Sequence, residues 1–223
     1  MFFKKIKLLL FISMASFNDV SAQTLAEKPH PNLPLPVEIL IGNRGLNFQF
    51  NTTKKFSPNS RFGFFNVTSF FADYKNVVAK NEFFSKSLLT AKVWKKISTV
   101  GGFSINQFSG FKPTAGLQFI HADQKMLVVI QPQIGLTENH HLENFSLFEF
   151  KPHINNKWGV YSRLQSVINY TPSLKSHNRS YIYLRAGAAY KNYQFGLGSN
   201  FDFYGPTKHN ENNFGLFMRA EFF

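Results

Sequence analysis

Seven histidines and no cysteine limit the chemistry open to this 223-residue chain. Nucleophilic catalysis needs a serine beside a histidine that a third polar group orients. His177 and Ser180 are close in sequence, but they read as loop residues with no evident third member. His121 falls on the apolar side of a strand end and has no serine partner. The neighbours His140 and His141 diverge on an extended backbone, and no cysteine or carboxylate spacing completes a metal site. His30, His153 and His209 add no pattern. No phosphate loop, zinc motif or dinucleotide fingerprint is present. The sequence therefore assigns no catalytic residue, no metal and no cofactor.

A second set of groups is more informative. Lys92, Lys112, Glu149, Arg163, Arg185, Asp202, Arg219 and Glu221 stand singly among apolar residues, each on the less apolar face of its segment. Charges buried one at a time are costly unless they pair. The expectation is an ion-pair and hydrogen-bond network filling a narrow lumen. The sharper alternative is a polar pathway whose excess of Arg and Lys favours anions.

The elements that carry these charges alternate with a period of two, which demands strands. In "NFGLFMRAEFF", Phe214, Leu216, Met218, Ala220 and Phe222 share one face, and Gly215, Phe217, Arg219 and Glu221 share the other. In "RSYIYLRAGAAY", Ile182, Leu184, Ala186, Ala188 and Tyr190 oppose Tyr181, Tyr183, Arg185 and Gly187. About eleven such segments occur; single-chain bacterial barrels have even strand numbers, so the count resolves to about 10-12. "VEILIG" (37–42) is the candidate for an extra short crossing. Tight connections at Lys95-Lys96, "ADQK", "NNK" and Lys191-Asn192 alternate with longer polar ones, "ADYKNVVAKNE", "TENHH", "TPSLKSHNRS" and "GPTKHNENN". "QFSG" is a short exception. The expected fold class is all-β, an antiparallel up-and-down transmembrane β-barrel.

Residues 1–22 have the form of a cleavable secretory signal peptide: Lys4, Lys5 and Lys7, then a short apolar run, then Val20-Ser21-Ala22. Residues 23–36 form a Pro-rich tether, with four prolines in "TLAEKPHPNLPLP", and the barrel is expected over 37–223. Phe accounts for 28 residues, an excess that suits strands and membrane interfaces. The formal charge is +13, and removing the signal takes away three lysines and Asp19. The remaining cations are dispersed, which argues against nucleic acid and for anionic lipid headgroups as their counterpart.

Alternation alone allows two opposite folds. A soluble barrel would bury the apolar set around a small apolar ligand, whereas a membrane barrel would turn it to lipid. The polar face is rich in Gly, Gln, Asn, Tyr and single Arg, which suits a lumen. Aromatics recur near strand ends, as at Trp158 and Tyr170, Tyr190 and Tyr193, and Phe222 and Phe223. A membrane also forbids open sheet edges, so the last strand must pair with the first. With its cleavable signal, cysteine-free alternating strands and terminal Phe, the chain resembles the small outer-membrane β-barrel proteins of Gram-negative bacteria. That resemblance implies a place in the outer membrane, with its lipids and lipopolysaccharide as partners. It also implies that Phe222 and Phe223 form an assembly signal read by the barrel-insertion machinery. One departure is that Phe222, not Phe223, is in phase with the apolar face. The implied role is non-catalytic, structural or narrow passive transport; the alternative is an interfacial lipid-modifying enzyme. The oligomeric state is not fixed by the sequence.

Overall fold

A computed structural model describes residues 33–75, 77–107 and 110–223. The expected signal peptide, most of the tether and His30 lie outside these residues. Twelve strands follow one another: β1 (Leu35–Gly42), β2 (Gly45–Lys55), β3 (Phe62–Asp73), β4 (Glu82–Trp94), β5 (Ile97–Asn106), β6 (Gly110–Ala122), β7 (Met126–Gly135), β8 (Leu142–Phe150), β9 (Trp158–Thr171), β10 (Ser176–Tyr190), β11 (Tyr193–Tyr204) and β12 (His209–Phe222). Each pairs antiparallel with its neighbours in sequence. The ring closes where β1 meets β12, from Leu35 opposite Phe222 to Gly42 opposite Gly215. The short segment at 37–42 is thus a full member of the wall. Closure leaves no row of unpaired backbone groups.

The two faces are inverted relative to a soluble barrel. Ile41, Leu197, Leu216 and Met218 are 57–69% exposed, while Glu38, Arg163 and Arg185 are 2–3% exposed. Period-two alternation puts both sets on the same strands. The outer face carries a polar patch on β3 and β4. The amide of Asn66 on β3 donates to the Lys86 carbonyl (2.9 Å) and to Ser87 Oγ (3.0 Å) on β4. Thr68 Oγ1 donates to Asn66 Oδ1 at 3.0 Å, so the patch satisfies itself.

Strand boundaries correct two expectations. β1 starts at Leu35, two residues before the expected barrel, and Pro36 pairs opposite Glu221. At the second residue of a strand the missing N–H is tolerated. Of the four polar stretches expected as long loops, "ADYKNVVAKNE" and "TENHH" are loops, but "TPSLKSHNRS" and "GPTKHNENN" are half or more strand. Only residues 172–175 connect β9 to β10 and only 205–208 connect β11 to β12, because pairs such as Ser176 with Thr171 and His209 with Tyr204 extend the ladders. Meanwhile the connection expected as a tight turn at "NNK" runs over 151–157, and 56–61 is a further six-residue connection at the same end. The two ends are therefore not divided by loop length. They are called here the terminal end, where β1 starts and β12 stops, and the loop end opposite.

Side chains hold the turns. Asn213 on β12 caps the β1–β2 turn: its Oδ1 accepts from Arg44 N–H (2.9 Å) and its amide donates to the Gly45 carbonyl (3.1 Å). A Cβ at Gly42 would overlap that amide, so any larger residue there would displace the cap. Asp123 Oδ1 accepts from the N–H groups of Lys125 and Met126, both at 2.8 Å, and sets the β6–β7 turn. These bonds hold the Asp123 carboxyl below its ordinary pKa.

Candidate functional site in the barrel interior

The interior is bridged by charged groups from distant parts of the wall. Glu38 Oε1 on β1 accepts from Arg163 Nη2 on β9 (2.7 Å) and from Arg185 Nε on β10 (2.8 Å). Arg163 also donates to Gln49 Oε1 on β2 at 3.1 Å. In the ring, β9 stands four places from β1 and five from β2. These side chains therefore meet across the lumen, not along the wall.

A second cluster lies nearer the terminal end. Arg219 on β12 grips Glu149 on β8 with two parallel bonds, Nη1 to Oε2 at 2.6 Å and Nη2 to Oε1 at 3.2 Å. Arg219 Nη2 also reaches Glu221 Oε1 at 3.2 Å, and Lys151 Nζ donates to Glu221 Oε2 at 2.6 Å. The Tyr161 hydroxyl donates to Glu149 Oε2 at 3.2 Å and accepts from Arg219. Tyr161 and Leu40 are fully buried against this cluster. Bidentate pairing offsets part of the desolvation cost of these charges.

At the loop end Arg179 on β10 contacts Asp202 (2.7 Å) and, from the opposite side of the ring, Glu82 on β4 (3.1 Å). Tyr204 OH donates to Glu82 Oε1 at 2.5 Å. Lys86 on β4 pairs with Glu143 on β8, which also accepts from the Asn169 amide at 2.9 Å. A half-enclosed cavity of about 480 Å³ lies at this end, lined by residues that include Arg44, Asn47, Lys112, His141, Asp202 and Tyr204. The His141 ring lies where a Cβ at Gly135 would stand, so any larger residue there would displace it. Burial, and then the Lys112 ammonium, push the His141 pKa below its ordinary value, with Glu143 opposing.

Another part of the lumen is apolar, although Gln118 on β6 donates to Gln131 on β7 at 3.1 Å beside it. Phe65, Val67, Leu88, Val100, Val129 and Phe145 form one buried cluster. Phe65 on β3 meets Phe145 on β8 edge-on at 5.7 Å, five places round the ring. The lumen is therefore filled along this side by a hydrophobic core.

Of the eight charges expected inside, Glu149, Arg163, Arg185, Asp202, Arg219 and Glu221 come together in ion pairs. Lys112 lines the cavity and has no ion pair among the described residues. Lys92 is a correction: it is exposed, beside the irregularity between Lys92 and Trp94 where β4 runs out of the wall. Glu38, Lys86, Glu143, Arg179 and Glu82 belong to the clusters but were not expected there. The signal was available, since Glu38 in "VEILIG" and Lys86 in "FFSKSLL" are single charges in phase with a polar face.

His177 and Ser180 are in strand β10, not in a loop. His177 Nε2 lies 2.8 Å from Ser180 Oγ, and Nδ1 lies 2.7 Å from the Gly205 carbonyl. The carbonyl can accept only from Nδ1–H, so Ser180 donates to Nε2. The orienting group is thus a neutral carbonyl and not a carboxylate. Among the described residues no group of three or more His, Asp or Glu could hold a metal ion. Phe222 ends β12 on the outer face opposite Leu35, and Phe223 follows it, 82% exposed.

These features define a class: a closed antiparallel barrel that turns aliphatic side chains outward and ion pairs inward, as lipid surroundings require. No family model matches the chain, and no curated protein matches it. Solved structures of porins are similar over most of it. A KdgM porin in complex with disordered oligogalacturonate aligns with a TM-score of 0.46 and 9% identity, over 86% of this chain and 100% of that one. A NanC porin aligns with a TM-score of 0.46 and 10% identity, over the same shares. OmpT, an outer membrane protein of Vibrio cholerae, aligns with a TM-score of 0.36 and 8% identity, over 85% of this chain and 95% of that one.

Proposed function

We propose that the chain is a non-catalytic outer-membrane β-barrel with a side-chain-filled lumen, structural in role and passing small polar solutes at most. The observation that carries this reading is the inversion of faces: Glu38, Arg163 and Arg185 are sealed inside while Ile41, Leu216 and Met218 face outward. Exposed aliphatic side chains all round a barrel are unfavourable in water and favourable in lipid. β1 starts and β12 stops at the same end of the barrel, which in bacterial outer-membrane barrels is the periplasmic side, and we assign that orientation here.

The lumen argues against wide flux. Barrels of about eight strands are filled by side chains, and aqueous channels appear near sixteen. With twelve strands, cross-lumen pairs and an apolar core occupy the space. The test is cell fractionation followed by gel mobility with and without boiling. Recovery in the outer membrane with heat-modifiable migration is expected, together with low solute flux in liposomes. Recovery in the soluble fraction without a mobility shift would overturn the membrane reading. Rapid sugar flux would overturn the filled lumen.

A further inference from the structure

We propose that the turns at the terminal end form a collar that binds anionic phospholipid headgroups, an inference that rests on the membrane placement proposed above. Each connection at that end carries a cation: Arg61 between β2 and β3, Lys95 and Lys96 between β4 and β5, Lys125 between β6 and β7, Lys157 between β8 and β9, and Lys191 between β10 and β11. All six are exposed. None has a carboxylate within ion-pair range among the described residues, although Lys96 Nζ lies 2.8 Å from His121 Nδ1.

The nearby carboxylates are already engaged. Glu221 is buried and paired with Lys151 at 2.6 Å. Asp123 accepts from two N–H groups of its own turn and lies 3.2 Å from His121. The loop end differs. Exposed lysines occur there too, at Lys75, Lys80, Lys175 and Lys208, with Arg44 paired to Glu211 at 2.5 Å, but three carboxylates, Asp73, Glu138 and Glu211, offset these five cations, whereas Asp123 is the one carboxylate in the turns that carry the six cations of the terminal end. So the charge left unbalanced by the fold is concentrated at one end. An unbalanced ring of like charges sets up a potential that draws anions from outside the chain.

Position identifies the source of those anions. Trp94 is 63% exposed at the end of β4, and the Lys95 ammonium lies 5.2 Å from its ring centroid. On the opposite side of the ring Trp158 meets Tyr190 at 4.8 Å, and the Lys191 ammonium lies 5.7 Å from the Tyr190 ring. Trp and Tyr sit at headgroup level. A lysine one residue beyond them, on a two-residue turn, reaches the phosphate layer and little further. In the assigned orientation this is the phospholipid leaflet. Each such cation favours an anionic surface by roughly fivefold.

The experiment reconstitutes the full chain in vesicles of phosphatidylcholine, alone or doped with phosphatidylglycerol, and measures the lipid that stays bound. Heat-modifiable migration reports insertion separately. The wild type is expected to retain phosphatidylglycerol over phosphatidylcholine, and added salt to erase the preference. The variant Lys95→Gln/Lys96→Gln/Lys157→Gln/Lys191→Gln is expected to lose about tenfold or more of it. The loop-end variant Lys75→Gln/Lys80→Gln/Lys175→Gln/Lys208→Gln removes as many charges and is expected to behave as wild type. Normal insertion without enrichment, or equal losses in both variants, would overturn the collar alone. So would a preference for lipopolysaccharide when both lipids are offered. A chain that shows no mobility shift in either vesicle would overturn the membrane placement and the collar with it.

Discussion

Along β1, β9, β10 and β12 the inward side chains include Glu38, Arg163, Arg185 and Arg219; along β3, β4, β5 and β7 they include Phe65, Leu88, Val100 and Val129. Both arcs of the wall fill the same lumen, by different forces. The charged arc is held by hydrogen-bonded ion pairs that few alternative packings could satisfy. The apolar arc is held by burial, which is roughly proportional to area and indifferent to direction. The difference implies opposite sensitivities. The charged arc should fail when one charge is removed, and the apolar arc when volume is removed.

The largest effect is expected at Glu38. Glu38→Gln leaves Arg163 and Arg185 facing one another without a carboxylate. A loss of about 3–5 kcal/mol is expected, read from the urea midpoint of folding in detergent. Replacing Glu38, Arg163 and Arg185 together by Met should cost far less, because no charge is left stranded. Equal midpoints for Glu38→Gln and wild type would show that the charged arc does not hold the barrel.

Leu88 tests the other arc. It is fully buried among Phe65, Val100 and Phe145. Leu88→Ala should cost about 2–5 kcal/mol, and Leu88→Met less than about 1.5 kcal/mol because volume is kept. If the two substitutions cost the same, this part of the lumen is not close-packed.

The two arcs were not equally legible in the sequence. Single charges in alternating segments, such as Arg185 in "YIYLRAGAAY" and Arg219 in "FGLFMRAEFF", mark the inner face because only one face of each strand is otherwise apolar. In "SRFGFFNVTSFF" both faces are aromatic, so Phe64 outside and Phe65 inside cannot be told apart by period. That is why the ion-pair network was expected from the sequence and the apolar cluster beside it was not. Closure of the last strand on the first followed from the rule against open edges. Which charges meet across the lumen did not follow, since Glu38 and Arg163 are 125 residues apart and their contact depends on how the ring closes.

A smaller, pH-dependent effect is expected where the arcs meet the cavity. His141 keeps its proton less readily when folded than when unfolded. As pH falls below the ordinary histidine value of about 6.5, the unfolded chain takes up a proton that the folded chain refuses. Stability should therefore fall through that window until the lowered folded pKa is passed, and then level off. The temperature of the gel-mobility shift, followed against pH, should show this slope for wild type and a flatter one for His141→Gln. Parallel slopes would mean that His141 is as free to ionise in the barrel as in water.

The smallest effect is expected at Ser180. Its hydroxyl is half-buried and donates to His177, whose ring is already fixed by the Gly205 carbonyl. Losing one such bond near the loop end should change stability by less than about 0.5–1.5 kcal/mol. The same variant separates the non-catalytic reading from the enzymatic one. A neutral carbonyl does little to stabilise an imidazolium, so His177 is a poor base for Ser180. A fluorophosphonate probe should leave the wild type unlabelled. Labelling of the wild type that disappears in both Ser180→Ala and His177→Ala would make this pair a nucleophile and its base, and the barrel an enzyme.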